Sequence, residues 1–415
     1  MADKPQPHFL FITYPMQSHI NPSLNLAKHI AATTGTAITF STTVFTHRRM
    51  FSSTPNSDKG FNDGLITYLP FSDGFDEEGY KRGSMDANEY RSIFRINSKR
   101  NVSILVKELT AGDRPVTCMI HTIFLNWVVE IAGEHGIPSV LYWIQAASVF
   151  ATELFEFLDE EQEGKKRVVL MNTFHEWETD DLASVSADIE TIPIGLLPKQ
   201  TNSSSSYLFK EDEKKYMEWL DTKEEGSVVY ISFGSLSVMK KEQMEEMVKG
   251  LKESKRPYLW VVRKDNREKE LLEIEGEEGD DQDGNGMMVE WCSQVRVLAH
   301  KAVGCFVTHC GWNSTLESLV CGVPVVGMPQ WSDQGMNAKL VESLWGCGVR
   351  SEFDGDCVVK GEELVRCLEL VMGDGEKGVK IRTKAKMWKD KASEAVSKCG
   401  SSDLNLKKFL LKFSE

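Results

Sequence analysis

Residues 291–334 read WCSQVRVLAHKAVGCFVTHCGWNSTLESLVCGVPVVGMPQWSDQ. This stretch contains the pattern that indicates the class of fold. The short apolar run at 303–307, rich in β-branched residues, predicts a buried strand. A Gly-containing turn follows, then a helical segment, and the run at 323–326 predicts the next strand. The order strand, turn, helix, strand is a βαβ unit, which indicates a parallel sheet.

The ends of this predicted helix have recognisable signals. Asn313 and Ser314 are residues that cap helix N-termini, and Glu317 follows at nearly the spacing of a capping box. Gly322 is typical of a helix C-terminus, and Pro324 comes just after it. The helix is therefore predicted between these two signals.

The turn that precedes the helix is a predicted phosphate site. In open parallel sheets, ligands bind beyond the C-terminal ends of the strands. His309, Gly311 and Asn313 fall at such an end. A helix that starts there directs free N–H groups and the positive end of its dipole towards the crevice, which suits a phosphate.

Other side chains of the stretch fit the rest of a nucleotide sugar. Trp291 offers a broad face on which a planar base can stack, and Glu317 can accept hydrogen bonds from paired ribose hydroxyls. Asp333 and Gln334 follow the second strand and can bind sugar hydroxyls. Base, ribose, phosphate and hexose therefore all have predicted partners.

The stretch resembles, without a gap, the signature box of plant family-1 UDP-dependent glycosyltransferases: it has the Trp start, the HCGWNS centre, the GVP strand start and the final Asp-Gln. The resemblance implies that Trp291 stacks on uracil and that the backbone of Cys292 contacts the edge of the base. It implies that a final Gln selects glucose rather than galactose. The other implied contacts are Gln294 and Glu317 with the ribose, His309, Asn313 and Ser314 with the phosphates, and Trp312, Asp333 and Gln334 with the sugar.

Two simpler interpretations of the same residues stay open. Trp312 and Trp331 could be ordinary core aromatics. Cys305, His309 and Cys310 could suggest zinc, but alternate residues of a strand face opposite ways and the stretch has no compact C-x-x-C pair. The cysteines fit small buried hydrophobes better.

Composition limits the class of protein. The chain has 415 residues, 41% apolar and 27% charged, with a formal net charge of −14. The length suits two or three domains, and the acidic balance argues against a nucleic-acid partner. No apolar run approaches the roughly 20 residues of a membrane span, the N-terminus lacks a signal-peptide core, and nine irregularly spaced Cys do not form a disulfide framework. We therefore expect a cytoplasmic protein. We also expect it to act as a monomer.

The N-terminal region provides a candidate base. Residues 8–13 predict a strand, 14–21 a loop, and Pro22 the first turn of a helix. His19 then lies at a strand end beside a helix start, where a His can act as a general base. By position alone it could equally be a capping or exposed His. In the resembled family the catalytic His occupies this loop in the same H-x-N-P context.

The sequence departs from that family in two places. The Asp that orients the family's His is replaced by Thr122, as in the branch that includes the anthocyanin 5-O-glucosyltransferases. A Thr would orient His19 only weakly, and His121 should face the opposite way. The segment 147–167, which lines the family's acceptor pocket, is also shorter than usual.

Alternating strands and helices predict a first doubly wound sheet of about seven parallel strands. The polar run around 203–206 predicts a linker. A second sheet begins at 228–232, and Gly234-Ser235 follows it at another strand end; the resemblance places Ser235 near the diphosphate. The predicted domains are 1–196 for the acceptor, linker 197–212, 213–398 for the UDP-sugar, and a helix at 399–415 that packs on the first domain.

Asp354-Gly355-Asp356 imitates the metal-binding D-x-D motif of other glycosyltransferases, but Gly between acids is typical of a surface turn. We expect no cofactor and no metal. The predicted fold class is α/β of the GT-B type, with two Rossmann-like doubly wound domains facing each other across a cleft. The acidic segment at 273–286 is expected to be a solvated loop.

The predicted function is inverting glucosyl transfer from UDP-glucose to a hydroxyl of an apolar plant molecule such as a flavonoid, an anthocyanin or another phenolic, with His19 as base. Transfer to a carboxylate, giving a glucose ester, is the alternative. Two more remote alternatives are a catalytically silent UDP-sugar-binding protein, because Thr122 replaces Asp, and an epimerase-like enzyme that converts the nucleotide sugar alone.

Overall fold

The computed structural model describes residues 6–52, 59–81, 84–157, 167–197, 215–235, 237–263 and 285–413. The chain divides into two compact units, one comprising Met1–Phe209 with Ala395–Glu415 and the other Lys210–Glu394. Apart from its first residue, the predicted linker lies outside the described residues. The same holds for the predicted loop at 273–286 except its last two residues, and for residues 158–166 of the short segment at 147–167.

The first unit contains an eight-stranded sheet in the order β3-β4-β2-β1-β5-β6-β7-β8. Its neighbours run parallel except β3 and β4, which form an antiparallel edge. The two residues of β3 are too few to show a periodicity, which is why the sequence predicted about seven strands. The strands are β1 (His8–Ile12), β2 (Ala37–Ser41), β3 (Phe61–Asn62), β4 (Thr67–Tyr68), β5 (Cys118–Thr122), β6 (Ser139–Trp143), β7 (Arg167–Met171) and β8 (Ile189–Pro193).

The helices of this unit follow the strands in alternation: α1 (Gln17–Thr34), α2 (Val44–Met50), α3 (Ala87–Ala111), α4 (Trp127–Glu134), α5 (Ala147–Phe157) and α6 (Thr179–Ser184). The predicted start of α1 at Pro22 is wrong, because the helix begins at Gln17 and contains Pro22. The missing N–H of Pro22 removes only one intrahelical hydrogen bond. His19 therefore lies in the first turn of a helix and not in a loop.

The second unit contains a six-stranded, all-parallel sheet in the order β11-β10-β9-β12-β13-β14. Its strands are β9 (Val228–Ser232), β10 (Tyr258–Val261), β11 (Gly286–Val289), β12 (Val303–Thr308), β13 (Val325–Gly327) and β14 (Gly348–Arg350). Its helices are α7 (Lys215–Asp221), α8 (Lys241–Ser254), α9 (Gln294–Leu298), α10 (Trp312–Cys321), α11 (Gln334–Lys339), α12 (Gly361–Met372) and α13 (Glu376–Val396), with a π-helical turn at Leu340–Leu344.

The boundaries of α10 differ from the prediction at one end only. Gly311, in an extended conformation, is the N-cap, so Asn313 and Ser314 lie in the first turn and do not cap the helix. Gly322 ends the helix as predicted, with φ of 73° in the left-handed region. The first-turn N–H groups therefore start two residues earlier than the sequence suggested, directly after Cys310.

The C-terminal helix α14 (Ser401–Phe413) belongs to the first unit. The Asn405 side chain donates a hydrogen bond of 2.8 Å to the carbonyl of Pro193 at the end of β8. Phe409 is fully buried, and its ring centroid lies 6.0 Å from that of Phe9 in β1. None of the described helices is both long enough and apolar enough to cross a membrane.

Candidate active site

The first group of interest is the buried pair formed by His19 and Thr122. His19 is 3% exposed, and its Nδ1 lies 3.1 Å from the Thr122 hydroxyl oxygen, although the two residues are 103 positions apart. The pairing of β1 with β5 brings them together, because Thr122 is the last residue of β5 and α1 follows β1. The same hydroxyl accepts a hydrogen bond of 3.1 Å from the Tyr14 backbone N–H. Thr122 thus occupies the position predicted for an orienting partner.

Burial lowers the pKa of His19 to about 3, so the imidazole is neutral near pH 7. Which nitrogen carries the proton depends on Thr122. A carboxylate can only accept, and would fix the proton on Nδ1. A hydroxyl can either accept from Nδ1–H or donate to Nδ1, and only the first case leaves Nε2 free to act as a base. The neighbouring His121 hydrogen-bonds through Nδ1 with the Thr122 carbonyl at 3.3 Å.

Two aromatic rings flank His19. The ring centroid of Tyr14 lies 5.4 Å and that of Phe124 5.6 Å from the imidazole. Phe124 is 58% exposed and has φ of 72°, a left-handed conformation that is strained for a bulky residue. Sequence reasoning missed Phe124, because neither its backbone strain nor its exposure leaves a signal in the sequence.

In the second unit, His309 lies between two glycines that have no room for a side chain. A Cβ on Gly311 would come 2.5 Å from His309 Nε2, and one on Gly234 would come 2.7 Å from it. Gly234 also has φ of 72°. Gly is therefore required at position 234 both by the close approach of His309 and by the positive φ of its own backbone. The parallel pairing of β9 with β12 brings the two strand ends together. Burial lowers the pKa of His309 to about 4, so the ring is neutral.

The other predicted phosphate residues surround the same strand ends. Ser314 is buried in the first turn of α10, Asn313 beside it is half-buried, and Ser235 is exposed. The Arg263 guanidinium donates a hydrogen bond to the Ser235 carbonyl oxygen. The start of α10 thus presents backbone N–H groups and the positive end of the helix dipole near His309, an arrangement suited to a diphosphate.

A hydrogen-bond network orients the predicted ribose residues. Gln294 donates from Nε2 to Ser314 at 3.0 Å and to Glu317 at 2.8 Å. Its Oε1 accepts from the Tyr230 hydroxyl at 3.3 Å, and that hydroxyl also lies 3.3 Å from the Cys292 sulfur. Burial raises the pKa of Tyr230 far above its usual value, so it stays a proton donor. Tyr230 was not predicted, although Val228, Tyr230 and Ser232 alternate onto one face of β9.

The three Trp residues of the stretch differ in burial. Trp291 is partly buried. Trp312 is 4% exposed, with its ring centroid 6.2 Å from that of Trp345, so its ring belongs to the core of the second unit. Trp331 is 49% exposed, which excludes the interpretation of it as a core aromatic. The contact of Trp312 with the sugar stays a prediction.

Asp333 and Gln334 lie at the start of α11. Gln334 is buried, and its Oε1 accepts hydrogen bonds from the backbone N–H groups of Gln330 at 2.9 Å and Trp331 at 3.2 Å. The side-chain oxygen of Gln334 therefore stabilises the loop after β13. The amide NH₂ of Gln334 is the part that can hydrogen-bond a ligand. Asp333 is mostly buried, and burial raises its pKa. Asn337 donates a hydrogen bond of 2.8 Å to its carboxylate.

The motifs that suggested a metal have structural explanations. Asp354 accepts hydrogen bonds from the backbone N–H groups of Asp356 at 3.0 Å and Val358 at 2.9 Å, as in a surface turn. Cys305 and Cys310 are fully buried, and burial raises the pKa of each thiol above its usual value. In the part of the chain that the structure describes, no three His, Cys, Asp or Glu side chains converge as a metal site.

Residues 200–397 match the family model for UDP-glucuronosyl and UDP-glucosyl transferases. The chain is 38% identical to UDP-glycosyltransferase 75C1 of Solanum lycopersicum, with 99% of both chains covered. It is 40% identical to the chloroplastic crocetin glucosyltransferase of Gardenia jasminoides, covering 98% of this chain and 97% of the relative. It is 37% identical to anthocyanidin 3-O-glucoside 5-O-glucosyltransferase 1 of Perilla frutescens, covering 97% of each.

Among solved structures, Os79 from O. sativa in complex with UDP superposes with a TM-score of 0.83 at 28% identity, covering 97% of this chain and all of the other. The chain therefore belongs to the plant family of UDP-dependent glycosyltransferases, and it is a UDP-glucose-dependent glucosyltransferase that acts on plant small molecules. The predicted GT-B fold class, with two parallel α/β sheets, is confirmed.

Proposed function

We propose that the enzyme transfers glucose, with inversion at the anomeric carbon, from UDP-glucose to a hydroxyl of an apolar or phenolic plant molecule. His19 Nε2 takes the proton of the acceptor hydroxyl as its oxygen forms a bond to the anomeric carbon. The bond from that carbon to the diphosphate breaks on the opposite face, and UDP leaves with the electron pair.

The observation that carries this proposal is the environment of His19. The imidazole is buried, neutral, hydrogen-bonded through Nδ1 and flanked by Tyr14 and Phe124. The Tyr14 and Phe124 rings contact each other edge to face, with 5.4 Å between their centroids, so a flat aromatic acceptor would pack against the exposed ring of Phe124 and not between the two rings. The names of two relatives, a phloretin 4′-O-glucosyltransferase and the Perilla enzyme, also point to O-glucosylation.

On the donor side, negative charge grows on the diphosphate as UDP leaves. Ser235, His309, Asn313 and Ser314, together with the N–H groups at the start of α10, would meet this charge with fixed hydrogen-bond donors. Such donors can replace a metal ion. We therefore propose that no metal is required, so turnover should be unchanged by EDTA.

A carboxylate acceptor is the second candidate, and one observation favours it. A base whose pKa is about 3 removes a proton from a weakly acidic hydroxyl inefficiently. A carboxylate is already ionised and brings no proton. Glucose ester formation would therefore need His19 only for positioning.

The decisive experiment measures UDP release with a panel of flavonoids, anthocyanins and plant carboxylic acids, for the wild type and for His19→Ala. General base catalysis is worth about 10²–10⁴-fold. We expect His19→Ala to lose most of that with a hydroxyl acceptor while UDP-glucose still binds. Equal losses on hydroxyl and carboxylate acceptors would show that His19 is not the base. Cleavage of the product by hydroxylamine distinguishes an ester from a glucoside.

Membership of the glycosyltransferase family also bears on the alternative functions. Transferase membership favours glucosyl transfer over a silent binding protein or an epimerase-like enzyme. The arrangement of the domains across a cleft, the monomeric state and the cytoplasmic location stay predictions; the name of the Gardenia relative places that protein in the chloroplast.

A further inference from the structure

Asn337 is a buried amide on α11 to which neither the sequence motif nor the family match assigns a role. It is fully buried and lies four residues after Asp333. Asn is a poor residue for a helix interior and a costly one for a core unless its polar atoms are bonded. Its partners therefore indicate what it does.

Both N–H groups of the Asn337 amide are used. Nδ2 donates a hydrogen bond of 2.9 Å to the carbonyl oxygen of Cys310, 27 residues earlier, and one of 2.8 Å to the Asp333 carboxylate. Cys310 belongs to the turn between β12 and α10, and Asp333 to the loop between β13 and α11. One side chain therefore joins the predicted phosphate turn to the predicted sugar-binding loop.

The turn at Cys310 needs such support. Its φ of 61° is left-handed, which a residue with a Cβ adopts at a cost in free energy. Its neighbours are His309 and Gly311, whose close approach forms the predicted phosphate site. Because Asn337 holds the Cys310 carbonyl, it fixes the direction of this peptide and with it the start of α10.

Asp333 needs a fixed donor as well. Its carboxylate is mostly buried, which penalises the charged form, and the hydrogen bond from Asn337 acts in the opposite direction. A charged, oriented Asp333 accepts hydrogen bonds from sugar hydroxyls more strongly than a protonated one does. The donor from Asn337 thus favours the form of Asp333 that the proposed sugar contact requires.

The cost of this amide supports a role in the site. Asn337 Oδ1 is buried and has no hydrogen-bond partner among the described residues. An unpaired buried acceptor destabilises a fold, whereas an apolar side chain of the same shape would avoid that penalty. The amide is unfavourable for packing alone, and the hydrogen bonds of its two donors to the Cys310 carbonyl and the Asp333 carboxylate offset that cost.

We propose that Asn337 is a positioning residue that couples the phosphate turn at Cys310 to the proposed sugar-binding carboxylate of Asp333, and that the affinity for UDP-glucose relative to that for UDP depends on this coupling. This inference rests on the proposed roles of the donor site. It predicts that loss of Asn337 affects binding of the glucose moiety more than binding of UDP.

The test compares the dissociation constants of UDP and UDP-glucose, measured by calorimetry without acceptor, in the wild type and Asn337→Leu. Leu keeps the shape and removes both donors. We expect the ratio of the two constants to shift against UDP-glucose by about tenfold, the value of one charge-assisted hydrogen bond, with UDP itself weakened by about threefold or less. A matched control is Gln243→Met, which removes a buried amide bonded on both sides to the Val359 backbone. It should lower Tm and leave the ratio unchanged.

A double-mutant cycle tests the coupling itself. In an Asp333→Ala background, Asn337→Leu should cause little further change in the ratio. Full additivity of the two effects, or a ratio within twofold of the wild type in Asn337→Leu, would overturn the inference. If Asn337→Leu does not fold, Asn337→Ser, which retains a single donor, replaces it. The same ratio of the dissociation constants of UDP and UDP-glucose is then measured. Failure of the wild-type protein to bind either ligand would instead overturn the proposed function on which the inference rests.

Discussion

Replacing Thr122 by Asp should make His19, which is now oriented only by a hydroxyl, a stronger base. The Thr122 hydroxyl oxygen lies 3.1 Å from His19 Nδ1, so a carboxylate at this position would come within hydrogen-bond distance. It would accept from Nδ1–H and from the Tyr14 N–H, which already points at this site. The substitution therefore fixes the tautomer in which Nε2 is free.

The size of the expected rate increase follows from the negative charge that the substitution introduces beside His19. An opposite charge at this range raises a histidine pKa by roughly 1–3 units, from the present value of about 3. At 1.36 kcal/mol per unit, the carboxylate stabilises the imidazolium by about 1.4–4 kcal/mol. If roughly half of the proton transfer is complete in the transition state, kcat/KM rises by about 3- to 30-fold.

The assay compares kcat/KM on a phenolic hydroxyl and on a carboxylate acceptor at several pH values, with the pKa of His19 followed by NMR. Only the hydroxyl acceptor should gain, because the carboxylate has no proton to give up. Thr122→Asn is the matched control: it has the size of Asp but no charge, and its amide, like the hydroxyl, can either accept from Nδ1–H or donate to Nδ1, so it should not raise the pKa of His19 as Asp does. If Thr122→Asp raises the pKa of His19 and the hydroxyl rate stays within twofold of the wild type, the assignment of His19 as the base is refuted.

Three further predictions concern other residues. Trp291→Ala should weaken UDP and UDP-glucose binding alike, by about 1–3 kcal/mol in calorimetry, since base stacking is lost; unchanged affinity would contradict stacking. Tyr230→Phe removes the hydroxyl that orients Gln294 and should lower affinity for UDP more than for 2′-deoxy-UDP; an equal loss on both ligands would mean that it acts only on stability. Burial lowers the pKa of His121 from 6.5 to about 4, so the unfolded state binds more protons between those pH values and stability falls as pH falls through that window. Urea unfolding at pH 7 and pH 4.5 should show that the wild type loses about 2 kcal/mol more than His121→Leu, and parallel losses would refute this.

Much of the donor site could be predicted from the sequence because its parts are close along the chain. His309 and Asp333 follow the two strands of one predicted βαβ unit, and parallel strands have their C-terminal ends at the same edge of the sheet. Chain order alone therefore placed these two residues on one side of the second unit, whereas β11, the strand that precedes Trp291, was not predicted. The same argument placed His19 beside the end of β1, even though the start of α1 was set five residues too late.

The boundaries that were wrong share a cause. Pro22 and Asn313 are residues typical of helix starts, but both lie inside helices that begin earlier. A local preference for a first-turn position is worth about 1 kcal/mol, which packing of the preceding residues against the sheet exceeds. Trp312, which begins α10 with its ring in the core, is such a residue.

The sequence by itself predicted the class of fold from its local periodicity. It also predicted candidate donor residues and a candidate base, from strand-end positions and from the resemblance of residues 291–334 to the family's signature box. Only the tertiary structure decided which side chains orient them. Thr122 meets His19 across 103 residues and Asn337 meets Cys310 across 27. Such contacts depend on strand order and on a few ångströms of loop geometry, and the energy of one hydrogen bond is too small to leave a pattern in the sequence.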